Sequence, residues 1–459
     1  MLNRIIKFIT GKKGSKGPVQ FSVDQLRIDL SKVSRNAIKV VDMLQSAGYS
    51  AYIVGGGVRD LLLNLKPKDF DVATNATPEQ VRQVFRSAMI IGRRFRIVHV
   101  RFGREIIEVT TFRAHHHDAS NTKDAKQSDH GLLLLDNVYG DIESDAFRRD
   151  FTVNALYLDP NTRQIIDFAE GIEDLKLRQL RIIGEAEARY REDPVRMLRA
   201  VRFAAKLGFA LESGSEKPIP TLAPLLTHIP SARMFEEVLK LFLSGSATAC
   251  LHLLRQYGLF YYLFPGTDDT LKTHNPINEA IVERVALNTD KRIRSDQRVT
   301  PAFIFAAFLW LPLQEAIKKL VSQGQSPQDA LQRAGSEVVS RQLTRTAIPK
   351  RFLIPLREIW ALQWRLPKRD GAKAFLLLEH PRFRAAYDFL LLREEAGEEL
   401  GGLGYWWTQF QTADAATRED MVKALDAPSK RKPRKRRTKK RAPSDNASDS
   451  FSPSQDDNE

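Results

Sequence analysis

AYIVGGGVRDLLLNLKPKDFDV, residues 51–72, decides how the chain is read. Ala51 to Val54 suit a short buried strand, which Gly55, Gly56 and Gly57 stop. From Val58 to Leu63 the apolar residues are dense enough for a short helix packed on a sheet. Glycines between a strand and a helix let backbone N–H groups approach an anion closely, and the helix N-terminus adds a partial positive charge. Asp69 to Val72 then open a second strand, whose period of two sends Asp69 and Asp71 to one face and Phe70 to the core. Paired carboxylates beside an anion cradle suit a divalent metal and a nucleoside triphosphate.

A chain of 459 residues is too long for one compact core and implies two or three packed units plus tails. Its 42% hydrophobic and 28% charged residues are ordinary for a soluble protein, which sets aside fibrous and fully disordered classes. The single cysteine, Cys250, rules out an internal disulfide framework and a cysteine zinc site, fits a reducing compartment, and reads as inert core. No apolar run reaches the roughly 20 residues of a membrane span. The opening MLNRIIKFITGKKG is interrupted by Arg4 and Lys7 and lacks a cleavage site, so residues 1–20 read as a flexible segment; weak contact with a membrane surface is the alternative.

The net charge is +15, and ten of the twelve residues from Lys430 to Arg441 are Lys or Arg, which leaves +5 for everything else. Polar sequence follows from Ser444, so residues 426–459 read as a disordered basic tail. It suits a sequence-blind grip on a polyanion through counterion release, with RNA the expected partner through its backbone. A solubility tail is the plainer alternative.

The expected architecture is α+β. A head with mixed sheet and helices covers 21–170, a helical neck 171–265, and an all-helical body 266–425. Val23 to Ala47 reads as a helix stopped by Gly48, Thr77 as the N-cap of a helix opened by Pro78, and 88–92, 96–102 and 105–112 as strands. The apolar pattern fails from Arg113 to His130, which reads as a mobile loop, and Asp150 to Leu158 returns to strand or strand-helix character. Val195 to Leu207 carries an apolar helical stripe closed by Gly208, Ser231 caps a further helix, and no repeat is visible.

Nucleotidyl transfer needs the triphosphate charge neutralised and a hydroxyl activated, which two carboxylate-bridged divalent ions achieve together. Asp69 and Asp71 are the candidate metal ligands. For a third carboxylate Asp150 and Glu108 compete. Asp150 follows Arg148 and Arg149, suited to bidentate phosphate contact, and is preferred; Glu108 has good strand placement but an apolar setting that suits partnership with an arginine equally well. In EDPVRMLR, 192–199, Asp193 at an N-cap plus Arg196 and Arg199 on one helical face could read a base edge; a capped helix with exposed arginines is the equal alternative. His115, His116 and His117 cannot all face one ion from regular structure and read as a solvated loop.

Taken together, GGGVRD (55–60), DFDV (69–72), RRDFTVNAL (148–156) and REDPVRMLRAVRFAAKLG (191–208) resemble the class II tRNA nucleotidyltransferase and bacterial poly(A) polymerase family of the polymerase β superfamily. Within it, IIGRRFRIVHV (90–100) is similar to the stretch that separates bacterial poly(A) polymerases from CCA-adding enzymes; Ile97 stands where leucine is commoner, a conservative departure. AIPKR (347–351), LLLEHPRFRAAYDFL (376–390) and the basic tail also resemble the poly(A) polymerases. The resemblance implies a polymerase-β-like nucleotidyltransferase head and template-independent addition of AMP from ATP to RNA 3′ ends, with pyrophosphate released. It implies Mg²⁺ as cofactor with Mn²⁺ as a substitute, and mRNA, small RNAs and tRNA precursors as substrates. A monomer in a bacterial cytoplasm is expected. On matching positions it makes Asp69, Asp71 and Asp150 catalytic, with Asp69 and Asp71 holding metal. Gly55, Gly56 and Arg59 would seat the triphosphate, with Arg149 helping at the nucleotide, and Asp193, Arg196 and Arg199 would select adenine. Two other readings stand beside this one: a CCA-adding enzyme, which would have little use for a long basic tail, and a non-catalytic RNA-binding protein on the same scaffold.

Overall fold

The computed structural model describes residues 17–92, 96–114, 125–127, 133–136 and 138–426. The basic stretch 430–441, the first sixteen residues, His115 to His117 and positions 93–95 lie outside them.

The head is built on one eight-stranded mixed sheet. Its strands are β1 (Val19–Ser22), β2 (Ala51–Val54), β3 (Asp71–Thr74), β4 (Ala88–Ile91), β5 (Ile97–Phe102), β6 (Glu105–Thr111), and then, past a separate hairpin of β7 (Ala125–Gln127) with β8 (Leu133–Asp136), β9 (Leu156–Asp159) and β10 (Gln164–Asp167). Their spatial order is β1-β10-β9-β2-β3-β6-β5-β4. Neighbours are antiparallel except β3 and β6, which run parallel. A parallel pair needs a crossover, supplied here by the helix Pro78–Val84 and strands β4 and β5. That helix starts in a full capping box: Thr77 accepts from the Gln80 N–H while the Gln80 side chain accepts from the Thr77 N–H.

Both sheet faces are covered. The helix Arg35–Ser46 buries Ala37, Val40, Val41 and Leu44 against one face, each Val or Leu stabilising by roughly 1.5–3 kcal/mol. A smaller apolar cluster that includes Phe112, Tyr157 and Ala146 covers the other. Beyond β10 the chain is helical, except for the two-residue parallel pair β11 (Gln179–Leu180) and β12 (Ala210–Leu211). One apolar core runs from the sheet through the helices as far as Trp360 and Phe389, and a second gathers Leu362, Tyr387, Trp407 and Phe410.

The structure departs from the sequence expectation in several places. The first helix begins at Arg35, not Val23, because Asp29 and Ser34 side chains capture the backbone N–H groups of Ser31 and of Asn36 and Ala37 and start separate turns. Residues 19–20, expected loose, belong to edge strand β1. Part of the expected loop after Arg113 is strand, since 125–127 pair with 133–136. Ser231 is the first helical residue rather than the cap; Pro230 precedes it. The second strand begins at Asp71, so Asp69 lies just ahead of it.

Candidate active site

Sheet register assembles the site. Antiparallel pairing sets Val54, the end of β2, opposite Asp71, the first residue of β3, so the glycine turn leaving β2 abuts the carboxylate. Parallel pairing sets Glu108 of β6 beside Asp71 on the other side. Gly55 adopts φ +76°, a left-handed backbone that side chains resist. A Cβ there would meet Arg149 Nη1 at 3.5 Å and Asp71 Oδ2 at 3.9 Å, so the turn, the guanidinium and the carboxylate face one space. At Gly57 the limit is steric: a Cβ would come within 3.0 Å of the Phe70 ring and 3.2 Å of the Asp69 carbonyl, which is how the DFD segment tucks against the turn. Phe70 is buried, Asp69 exposed and Asp71 between the two, with Asp69 and Phe70 ahead of the strand.

Burial, reinforced by Glu108 and Asp69, raises the Asp71 carboxyl to about 6 despite Arg149. Acidic oxygens are therefore crowded here with too little positive charge. Asp69, Asp71 and Glu108 offer hard oxygen donors, and this excess negative charge is what a divalent cation relieves, so the residues fit one. Among the described residues no group of three or more His, Cys, Asp or Glu side chains is arranged to hold a metal ion. Glu108 lies 3.3 Å from His99 Nε2 rather than beside an arginine.

Arg149 is fixed by the far side of its guanidinium. Its Nε and Nη2 donate to Asp145 Oδ2 at 3.2 and 3.0 Å, and Nε also to the Tyr157 hydroxyl at 3.0 Å, which leaves Nη1 aimed at the turn. Arg59, only 2% exposed, lies beneath the turn rather than on its surface. It donates to Asp60 Oδ1 at 2.9 and 2.6 Å and to Asn154 Oδ1 at 2.6 Å.

Asp150 is held by its own set of donors. Its side chain accepts from Arg199 Nε at 2.7 Å, from the Asn154 amide at 3.1 Å and from the Phe151 N–H at 2.9 Å. Burial alone would raise this carboxyl, but Arg199 and the two donors outweigh it and hold it at about 2. Glu108, the candidate set second from sequence, is the carboxylate adjoining Asp71. The Asp150–Arg199 pair instead joins the head to the neck helix Val195–Leu207.

The neck side chains are likewise engaged. Asp193 precedes the helix, whose N-cap is Pro194, and accepts from Arg233 Nη2 at 2.6 Å and from the Val195 N–H at 3.3 Å. Arg196 donates to Glu192 at 2.5 Å and to the Arg189 carbonyl at 2.8 Å.

Several participants were not singled out from sequence. Arg189 reaches from the helix Ala186–Glu192 to donate to the carbonyls of Arg148 and Arg149 at 2.7 and 2.9 Å. Phe203 lies in the apolar helical segment Val195–Leu207, yet Arg59, Arg199 and Arg202 stack around its ring with Cζ atoms 5.3, 5.3 and 4.8 Å from the centroid. Asn154 bridges Arg59 to Asp150, and lay unremarked inside RRDFTVNAL. Arg233 acts through Asp193, distant in sequence, and left no local signal, whereas Asp145 meets Arg149 one helical turn on.

A mixed sheet presenting a glycine turn, an acidic strand start and an inward guanidinium defines a nucleotidyltransferase head. Family models match residues 51–181 as the poly A polymerase head domain, 208–271 as a probable RNA and SrmB-binding site of polymerase A, and 323–441 as the polymerase A arginine-rich C-terminus. The chain is 48% identical to poly(A) polymerase I of Haemophilus influenzae over 90% of its own length and 94% of that protein's. It is 49% identical to the Escherichia coli poly(A) polymerase I over 92% and 91%. The similarity to a Geobacillus thermodenitrificans CCA-adding enzyme is 40%, confined to 50% of this chain and 55% of that one. Among solved structures, a tRNA nucleotidyltransferase complexed with a primer tRNA and an incoming ATP analog shares the fold with a TM-score of 0.53 at 22% identity, over 85% of this chain and 100% of that one. The chain belongs to the poly(A) polymerase family of nucleotidyltransferases.

Proposed function

We propose that the chain transfers AMP from ATP to the 3′-hydroxyl of RNA without a template. A bond forms between the 3′-oxygen and the α-phosphorus, the bond from the α-phosphorus to the bridging oxygen breaks, pyrophosphate leaves, and the hydroxyl proton goes to solvent. The observation that carries this reading is the meeting of the Gly55 turn, Asp71 and Arg149 Nη1 in one space. Asp69 and Asp71 would hold Mg²⁺, which when bound neutralises phosphate charge and acidifies the attacking hydroxyl. Backbone N–H groups of the Gly55–Gly56 turn would cradle the phosphates, with Arg149 reaching them from the opposite wall and Arg59 stiffening the turn from below. Asp193, Arg196 and Arg199 would select adenine, and Arg233, Glu192 and Asp150 fix where those three stand. Asp150 thus serves as a positioning residue. We place the reaction in a bacterial cytoplasm, with a monomer acting on mRNA, small RNA and tRNA precursor ends.

Incubating the protein with an unstructured RNA primer, Mg²⁺ and each nucleoside triphosphate separately tests the reading: long tracts from ATP alone are expected. CTP incorporation confined to tRNA lacking its CCA end would favour the CCA-adding alternative. Asp69→Ala and Asp71→Ala should each lower AMP addition by roughly a thousandfold or more, since a metal clamp supplies several kcal/mol. RNA affinity should change little. Retention of wild-type rates in either variant would exclude this metal site.

A further inference from the structure

AIPKR and LLLEHPRFRAAYDFL stood out in the sequence, yet neither touches the site described above. In the fold they come together. A cavity of about 410 Å³ in the body is walled by Arg351 and Phe352 of the helix Lys350–Arg365, Arg382 and Arg384 at the start of the helix Phe383–Glu395, and Arg292 and Arg298 around the end of the helix Pro276–Arg294. The volume lies within the range of sites that hold small molecules or single residues of a polymer.

The charge is one-sided. Five arginines line the cavity against one carboxylate, Asp388, which is shared between Arg292 Nη1 at 3.3 Å and Arg384 Nε at 3.0 Å. Arg382 is paired with Glu358 at 3.1 Å. Arg298 and Arg351 have no carboxylate partner among the described residues and are exposed at the rim. The floor is apolar: Phe352, Phe303, Pro355 and Ile359 form it, and the Phe352 ring has the Arg351 guanidinium 4.9 Å from its centroid. Guanidiniums without a carboxylate partner above an aromatic and aliphatic floor match a nucleotide, with phosphates at the rim and a base inside against the Arg351–Phe352 pair, whose ring stacks on Phe235 at 6.0 Å. An acidic peptide would use the rim but gain little from the floor.

We infer that this cavity is a second RNA subsite, which holds one unstacked nucleotide of the primer strand upstream of its 3′ end. The inference rests on RNA being the substrate. Residues 288–303 of the cavity fall between the matched RNA-binding region and the arginine-rich C-terminus.

The full chain carrying both Arg298→Gln and Arg351→Gln tests it, because both side chains are exposed and neither has a carboxylate partner among the described residues, so their loss leaves the core intact. By fluorescence anisotropy, affinity for a long labelled oligo(A) should fall several-fold, and the slope of log K against log salt should shrink by about 1.4, two contacts at about 0.7 each for single strands. The rate of AMP addition to a trinucleotide, too short to span both sites, should be unchanged. Phe352→Leu should weaken oligo(A) more than an abasic strand of equal length. Unaltered affinity and slope in the arginine variant would overturn the subsite. So would an equal loss for poly-glutamate and oligo(A), or an equal effect of Phe352→Leu on both strands. Failure of the unsubstituted protein to add AMP would defeat the polymerase reading yet leave these binding comparisons valid.

Discussion

Asp71 must shed its proton before it can hold a cation, and its surroundings resist that loss. With its carboxyl raised to about 6 by burial, Glu108 and Asp69, metal-dependent activity should fall as pH drops through about 6. Glu108→Gln removes one repelling charge, so the acid limb of the pH–rate profile should move to lower pH while the Mg²⁺ requirement rises. An unmoved limb would separate Glu108 from the site. Asp150→Asn should leave that limb in place and act on stability instead. A carboxyl held at about 2 in the fold contributes stability that is present above the ordinary carboxylate pKa and lost as pH falls towards 2. The variant should therefore melt lower at neutral pH and lose the wild-type's decline in stability on acidification. The preference for Asp150 over Glu108 came from neighbours in the chain, Arg148 and Arg149. What sets Glu108 against Asp71 is a parallel pairing across 37 positions of sequence, which no local pattern records.

Strands and helices were legible where the chemistry was local. The strand of 51–54, the capping box at Thr77 and the left-handed stop at Gly208 stand as their residues dictate, while the short helix expected from Val58 to Leu63 spans Gly56–Leu62 and takes two of the three glycines into its first turn. Elements failed where two local signals competed, as in residues 23–33, where Asp29 and Ser34 divide an apolar run into separate turns. The helix Ala186–Glu192 shows what such reading misses altogether. It is short, but through Arg189 it holds the backbone that carries Arg149 into the site. Arg189→Gln removes both bonds to the Arg148 and Arg149 carbonyls and should lower kcat for AMP addition about tenfold, the scale of one or two lost hydrogen bonds, with RNA affinity nearly unchanged. A variant with intact kcat would show that Arg149 is held well enough by Asp145 and Tyr157 alone.

At the scale of the whole molecule, charge is distributed by role. The body and sheet carry little net excess, while Lys430 to Arg441 concentrates ten cations in twelve residues. Truncation after Pro428 should flatten the salt dependence of RNA binding by several units of slope and shorten the tracts made before dissociation, while addition to a trinucleotide persists. An unchanged slope would show the segment idle. Head and neck, by contrast, are joined by short charged contacts: Arg199 to Asp150, Arg189 to two head carbonyls, and Phe203 under guanidiniums from both halves. These two units are therefore not interchangeable modules. A chimera grafting this sheet onto a relative's helices would strand a half-buried cation at the seam unless the donor carried its counterpart, so sheet and helices must be swapped, and must have diverged, as a matched set.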